Sequence, residues 1–378
     1  MNNWEQIQGI YIHIPFCLQK CLYCDFASFP QQDRETMAKY TDNLCQEIQQ
    51  RALSFPVNPQ ATIYFGGGTP SVLPLEDIAK IVGTLKNNGL WQKPLEATIE
   101  ANPGTISLES LSTYRQLGFD RISFGIQSMQ DEELRAMGRV HTSLQAREAI
   151  KLAGEAGFSR ISADLIYGYP SQTLKSVTDS LQTLVLQGIK HMSVYGLVVE
   201  EGTPLCNNLD VGKLILPSED DSGDMYDFVT KYLPQQGYKR YEISNYACIG
   251  EESRHNLVYW QYLPYLGLGL SACSFDGQAR ITNSNNIEEY LQGKTPETEK
   301  LDIETRLAEY IFMGLRTSYG VNLAVAEERF AIDIREIYKK EISECQSKGL
   351  MEIDRLQRTM HLTDFGMKFG NQVFEKFL

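Results

Sequence analysis

Short apolar runs recur along the N-terminal part of the chain, at residues 9–14 (GIYIHI), 61–65 (ATIYF), 96–101 (EATIEA), 121–126 (RISFGI), 160–168 (RISADLIYG) and 191–199 (HMSVYGLVV). Their length and β-branched content predict strands. Between them lie segments with helical period, at residues 36–53, 75–89, 107–118, 143–157 and 176–188. Several of these helices run into a glycine just before the next strand, the residue best suited to a left-handed C-terminal cap. Strand–helix alternation repeated six times predicts parallel β/α units. Six such units make about three quarters of an eight-fold barrel.

Around residues 291–302 the pattern turns polar and contains proline, which marks a boundary. Beyond it, residues 303–317, 322–331 and 334–349 read as helices, residues 350–363 alternate like a hairpin, and residues 364–377 form a last helix. The expected architecture is therefore α/β: a partial (β/α)6 TIM-like barrel over residues 1–240, an aromatic-rich segment at 241–295, and a smaller α+β domain at 296–378 that resembles a winged helix. DNA binding does not follow from that resemblance. Residues 295–378 carry 12 Lys and Arg against 15 Asp and Glu, so counterion release has little to act on. A cap or partner-docking role is the simpler expectation.

Composition narrows the class. The chain has 378 residues, 42% hydrophobic and 22% charged, with a formal net charge of −13. That balance suits a globular protein and argues against a nucleic-acid footprint or a polybasic membrane patch. No apolar run approaches the roughly 18–20 residues of a membrane span. The start, MNNWEQIQGI, lacks a basic region and a long apolar region, so no signal peptide is expected and the predicted location is cytoplasmic. Eight cysteines in a chain this long do not make a disulfide scaffold. Cys45, Cys206, Cys248, Cys273 and Cys345 are scattered and read as buried free thiols.

The other three stand within eight residues: Cys17, Cys21 and Cys24, spaced C-x3-C-x2-C. On one loop they can converge, and soft sulfur selects zinc, copper(I) or an iron–sulfur cluster. Structural zinc sites close with four ligands in paired sets. No second pair is visible here, and histidines 13, 141, 191, 255 and 361 form no knuckle. A cubane normally takes four thiolates, so three leave one iron open; chance clustering of core cysteines is the bland alternative. Other chemically loaded residues fall where the predicted strands end, the place where barrels and open sheets bind ligands. GGGTP (66–70) follows the second strand, Glu100 and Asn102 the third, Gln127 the fourth, and DLIYGYP (164–170) closes the fifth. The glycines 66–68 suit either close backbone approach to a ligand or a tight turn.

These residues carry a resemblance. The cysteine spacing matches the radical S-adenosylmethionine (radical SAM) superfamily, and YIHIPFC (11–17) matches the lead-in of the oxygen-independent coproporphyrinogen III oxidase family. The similarity spans nearly the whole chain. It implies a [4Fe–4S] cluster on Cys17, Cys21 and Cys24 whose open iron chelates S-adenosylmethionine. Electron transfer into the sulfonium would release methionine and a 5′-deoxyadenosyl radical. It further implies that Tyr11 lies near the S-adenosylmethionine, and that Tyr23 contacts its adenine. Gly67, Gly68 and Thr69 would hold its polar end, and Glu100 its amino or ribose groups. Gln127, Arg139 and Asp164 correspond to contacts with a second S-adenosylmethionine in the oxidase branch.

Two features resemble the haem chaperone branch of the family instead: Phe26 stands where oxidases place a further cysteine, and only 16 residues precede Cys17. The segment HNLVYW (255–260) matches the H-N-x-x-Y-W signature associated with haem in that branch. A neutral histidine can ligate haem iron, and Tyr259 and Trp260 offer flat apolar surface. On residue chemistry alone, a buried structural histidine is the commoner role for His255. The resemblance thus implies a haem-binding chaperone that hands haem to acceptor proteins and is compatible with a homodimer. The alternative it carries is coproporphyrinogen III dehydrogenase, and a plain zinc module is a distant third.

Overall fold

The computed structural model describes residues 2–377. Six strands follow the predicted runs: β1 (Ile7–Ile14), β2 (Val57–Gly67), β3 (Ala97–Ala101), β4 (Arg121–Gln127), β5 (Arg160–Tyr167) and β6 (His191–Gly196). Along them the two parities of residue diverge, because successive side chains leave opposite faces. One face carries Ile10, Ile12, Ile63, Phe65, Ile99, Ile122, Phe124, Leu165 and Val194, which join a single hydrophobic core. The helices α1 (Arg34–Arg51), α2 (Leu75–Asn87), α3 (Leu108–Leu117), α4 (Ser143–Glu155) and α5 (Leu174–Leu186) cover that face, supplying Leu44, Ile48, Ile81, Leu111, Ile150 and Leu181 to the same core. The other face is polar. Its Thr62, Tyr64, Glu100, Arg121, Ser123, Ser162, Asp164 and His191 are joined by hydrogen bonds to one another or to residues that close the barrel.

The helices form where their ends are satisfied. Asp33, Ser107, Thr142 and Thr173 each accept a backbone N–H of the first turn of α1, α3, α4 and α5. The glycine stops also appear: Gly89, Gly118, Gly157 and Gly188 all adopt positive φ. Strand β6 ends at Gly196, short of the predicted residue 199, and the chain beyond it turns into the wall of a cavity.

Segment 241–295 extends the sheet at both edges. Its first strands, with one just before it, are β7 (Lys239–Arg240), β8 (Asn245–Ala247), β9 (Tyr265–Leu268) and β10 (Cys273–Phe275). They are followed by β11 (Ala279–Thr282) and β12 (Glu297–Lys300). The twelve strands run β12-β11-β10-β9-β1-β2-β3-β4-β5-β6-β8-β7. From β9 to β6 the pairing is parallel, so a seventh parallel strand joins the predicted six. Edge strands β7 and β12 are not paired with each other in this sheet.

Between β8 and β9 the chain crosses the amino ends of the strands as helix α6 (Arg254–Trp260). Its anchor is Glu96, fully buried before β3. The Glu96 carboxylate accepts from the backbone N–H of Arg254 and of His255, both at 3.1 Å, and pairs with Arg160 at 2.8 Å. Burial alone would push this carboxyl up, but Arg121, Arg160 and the two amides outweigh it and hold it below the ordinary carboxylate range.

Beyond residue 300 a second core forms from α7 (Ile303–Leu315), α8 (Leu323–Phe330), α9 (Lys339–Ser347) and a hairpin of β13 (Met351–Asp354) with β14 (Thr359–Leu362). This is the predicted order of helices and wing. The predicted helix over 334–349 breaks at Tyr338, whose ring packs on Phe377. The last predicted helix divides at Phe369, whose ψ of 29° ends one short helix and caps the next. Tyr262 and Phe275 belong to this second core.

Removing one partner of a buried charge pair leaves the other desolvated and unpaired. Glu96→Ala is therefore expected to lower unfolding free energy by about 3–5 kcal/mol in urea or guanidinium titration. A loss below about 1 kcal/mol would contradict the anchoring role of Glu96.

Candidate functional site

The carboxyl ends of β1 to β6 open into one cavity of about 470 Å³. The cysteine loop after β1 supplies Cys17, Cys21, Tyr23 and Cys24 to its wall, and the turn after β2 supplies Gly67, Gly68 and Thr69. Glu100 comes from β3, Gln127 from β4 and Asp164 from β5, while Arg139 follows a short helix, Asp131–Ala136. Eleven of the twelve cluster and S-adenosylmethionine residues expected from the sequence thus face the same space. The exception is Tyr11. It lies below the cavity, with its hydroxyl 3.0 Å from His13 Nδ1 and its ring stacked on Tyr64 at 6.2 Å.

Electrostatics at this pole is organised by Arg139. One guanidinium nitrogen donates to Cys21 Sγ at 3.3 Å and another to the Gly125 carbonyl. Its Nε is buried without any partner, which is costly unless something anionic or sulfur-bearing fills the space beside it. Cys17 Sγ lies 3.5 Å from Thr69 Oγ1. Burial pushes the Cys17 and Cys24 thiols up. Among the described residues no three His, Cys, Asp or Glu side chains converge tightly enough to hold a single metal ion. The donor set instead suits a larger cubane, which spreads its thiolates over separate irons. None of the five scattered cysteines reaches the cavity wall.

The glycine triplet owes its composition to the protein's own packing. A Cβ on Gly68 would lie 2.7 Å from the Phe16 carbonyl, and one on Gly67 would lie 2.5 Å from the His13 ring. Gly67 also sits at φ +111°. Gln127 is the more telling strain: a non-glycine residue at φ +69° in the cavity wall, beside a register shift in β4. Bulges and left-handed residues of this kind concentrate at functional sites.

The haem-motif residues lie elsewhere. His255 is 1% exposed beneath the barrel strands. Its Nδ1 is 2.8 Å from Thr62 Oγ1, its Nε2 is 2.8 Å from the Tyr259 hydroxyl, and its ring stacks on Tyr64 at 4.9 Å. Burial lowers its pKa to about 3, so the ring is neutral. The Tyr64 hydroxyl donates to Glu100 at 2.5 Å. Glu100, Tyr64, His255 and Tyr259 therefore make one continuous column through the barrel. Tyr64 was not foreseen from the sequence, although its place two residues after Thr62 on one strand puts both on the inner face. Tyr259 and Trp260 line a second cavity, of about 260 Å³, which shares no residue with the first.

Comparison with known proteins agrees with this layout. The family model "Radical SAM superfamily" matches residues 11–184, and "HemN C-terminal domain" matches residues 301–369. "Heme chaperone HemW" of Lactococcus lactis subsp. lactis is 35% identical over 378 residues, covering 99% of this chain and 98% of that protein. "Heme chaperone HemW" of Bacillus subtilis is 34% identical, with 98% and 99% covered. That of Escherichia coli K12 is 30% identical, with 98% of each covered. The solved coproporphyrinogen III oxidase (HemN) of Escherichia coli superposes with a TM-score of 0.85 at 23% identity, over 99% of this chain and 90% of that one. At that identity the likeness is one of fold.

Burial pushes the Glu100 carboxyl up to about 7, with Asp164 adding to the shift and the Tyr64 hydroxyl opposing it. Below pH 4.5 the folded and unfolded chains both hold this proton. Between pH 4.5 and 7 only the folded chain does, so stability falls as pH rises, levelling off above 7 at a loss of roughly 3 kcal/mol. Glu100→Gln removes that titration. In cofactor-free protein, the stability difference between variant and wild type should shift in favour of the variant from pH 4.5 to 8. A difference that stays constant with pH would refute the raised carboxyl.

Proposed function

The chain belongs to the heme chaperone HemW family of the radical SAM superfamily, and on that footing we propose that it binds haem and delivers it to acceptor proteins. The family implies a [4Fe–4S] cluster and S-adenosylmethionine. The single observation carrying their placement is the shared cavity, in which three thiols border an arginine with an orphaned donor. In this reading Cys17, Cys21 and Cys24 hold the cluster, and Arg139 donates to the Cys21 sulfur, the kind of contact that tunes a cluster's potential. Gly67, Gly68, Thr69, Tyr23, Glu100, Gln127, Arg139 and Asp164 line the space for S-adenosylmethionine. Tyr11 acts through Tyr64 and Glu100 as a positioning residue. Bound together, the two cofactors supply reductive cleavage of a sulfonium C–S bond.

Raised by burial to about 7, the Glu100 carboxyl can stay protonated near neutrality and donate a hydrogen bond to a polar cofactor head; burial pushes Asp164 up as well. Haem binding rests on the family and on the half-buried Tyr259 and Trp260 of the motif. His255 has both ring nitrogens committed, which supports a role in positioning Tyr259 rather than in reaching iron. Among the described residues no helix is long and apolar enough to cross a membrane.

Anaerobic reconstitution of full-length protein should yield about four irons and four sulfides per chain. Cys17→Ala, Cys21→Ala and Cys24→Ala should each abolish the cluster spectrum, and haem should be taken up stoichiometrically. Conversion of coproporphyrinogen III to protoporphyrinogen by the reconstituted protein would overturn the chaperone reading in favour of the oxidase.

A further inference from the structure

Beyond β6 the chain folds along one side of the cysteine-pole cavity, residues 197–218, before the helix Glu219–Gln235 begins. Leu197, Val198 and Glu200 line the cavity directly. Leu197, Leu209 and Leu214 pack with Tyr23, Tyr169 and Leu205 in a small core of their own. The Leu205 amide donates to the Leu22 carbonyl at 2.9 Å, which ties the segment to the cysteine loop. The start of the following helix stands at the same pole. A Cβ on Gly168, the residue after β5, would lie 3.8 Å from Ser222 Oγ and 3.9 Å from Leu197.

What this segment leaves unpacked is apolar. Val198 is 66% exposed and Ile215 81%. The cysteine loop adds Phe26, 69% exposed, and Leu18, both in the wall of the same cavity, with Val140 exposed beside them. Scattered apolar side chains on a surface need no explanation, but several gathered at one cavity mouth mark a contact surface. Its border is acidic. Residues 197–224 hold seven Asp and Glu against the single cation Lys213, which is nearly half of the chain's net charge of −13. All seven carboxylates are exposed. On the cysteine loop, Lys20 is committed to the Phe26 carbonyl at 3.2 Å.

We propose that this mouth is a docking surface for a protein partner whose contact face is apolar at its centre and bordered by lysine and arginine. Val198, Ile215, Phe26 and Leu18 form the dry centre and the carboxylates the polar rim, the usual division of an interface. Charge decides among the occupants. A second copy brings the same carboxylates, so pairing across this face sets like charges together. An anionic lipid surface is repelled for the same reason. A cationic partner is drawn in, at a rate that falls as salt screens the attraction. Once seated it covers the mouth and keeps water from the thiols and Arg139. The assignment is independent of the haem reading.

The test uses full-length protein and a fluorescent amphipathic helical peptide of leucine and lysine, with its leucine–glutamate counterpart as control. By anisotropy the lysine peptide should bind at low ionic strength and weaken as salt is added. It should also protect the amides of residues 197–218 from hydrogen exchange. Val198→Ser with Ile215→Ser should weaken binding about tenfold, and Glu200→Lys with Glu201→Lys at least as much. All four side chains are exposed, so both pairs should keep the fold. Glu304→Lys with Glu336→Lys adds the same charge to the C-terminal unit and should change binding by no more than about twofold. The proposal is overturned if the glutamate peptide binds equally well or if wild type binds neither peptide. It is overturned equally if the C-terminal reversal costs as much as the one at the mouth, or if the serine pair leaves affinity unchanged. Self-association of wild type in sedimentation that the serine pair abolishes would make a second copy the occupant and overturn it too.

Discussion

The barrel rests on one constraint: its inner face is polar, and water does not reach most of it. Arg121 and His191 are each 3% exposed, Ser162 is fully buried, and Glu96 is fully buried beside them. Groups like these are tolerated inside only when each finds a partner. Arg121 lies 3.3 Å from His191 Nδ1, which is 2.7 Å from Ser162 Oγ, while His191 Nε2 reaches the Tyr241 hydroxyl at 2.8 Å. Burial and the neighbouring Arg121 and Arg160 keep His191 neutral. Glu96 supplies the countercharge. By capping α6 with its carboxylate it also ties segment 241–295 to the amino ends of the strands, so charge balance and the placing of that segment are the same interaction.

That constraint explains where His255 sits and why. The helix that closes the barrel must present an inward side chain that can satisfy Thr62 from one side and Tyr259 from the other, and a neutral imidazole does both. Gly9 leaves room for it, since a Cβ there would lie 3.2 Å from the ring. A substitution at His255 therefore disturbs Tyr64 and Glu100 above and Tyr259 below. Loss of haem uptake in a His255 variant alone would not identify an iron ligand, because the same column supports both cavities.

Much of this was legible in the chain. The β/α alternation, the cysteine spacing and the strand-end residues Glu100, Gln127 and Asp164 lead to one pole, because parallel units place their loops at the same end. Other features were not. The glycines 66–68 look alike in sequence whether a ligand or His13 and Phe16 require them. Tyr11 follows the family pattern yet stays beneath the cavity. Arg280 and Met313 lie in stretches with no motif, and the hairpin β10–β11 and helix α7 bring them together only when the second core folds against Tyr262 and Phe275. Local patterns report local structure, and this seam is made by contacts distant in sequence.

The two cavities stand at the two ends of that column, one lined by Glu100 and the other by Tyr259, and differ in chemistry. The first cavity is lined by the thiols, Arg139 and Glu100, with Phe26, Leu18 and Val198 as exposed apolar side chains in its wall. The second cavity has the aromatic walls a macrocycle needs but no thiol and no residue in common with the first. Between them runs the column of Glu100, Tyr64, His255 and Tyr259, joined by hydrogen bonds at its two ends and by ring stacking in the middle. The same polar interior that satisfies Thr62 and Tyr259 thus separates the cysteine pole from the aromatic seam.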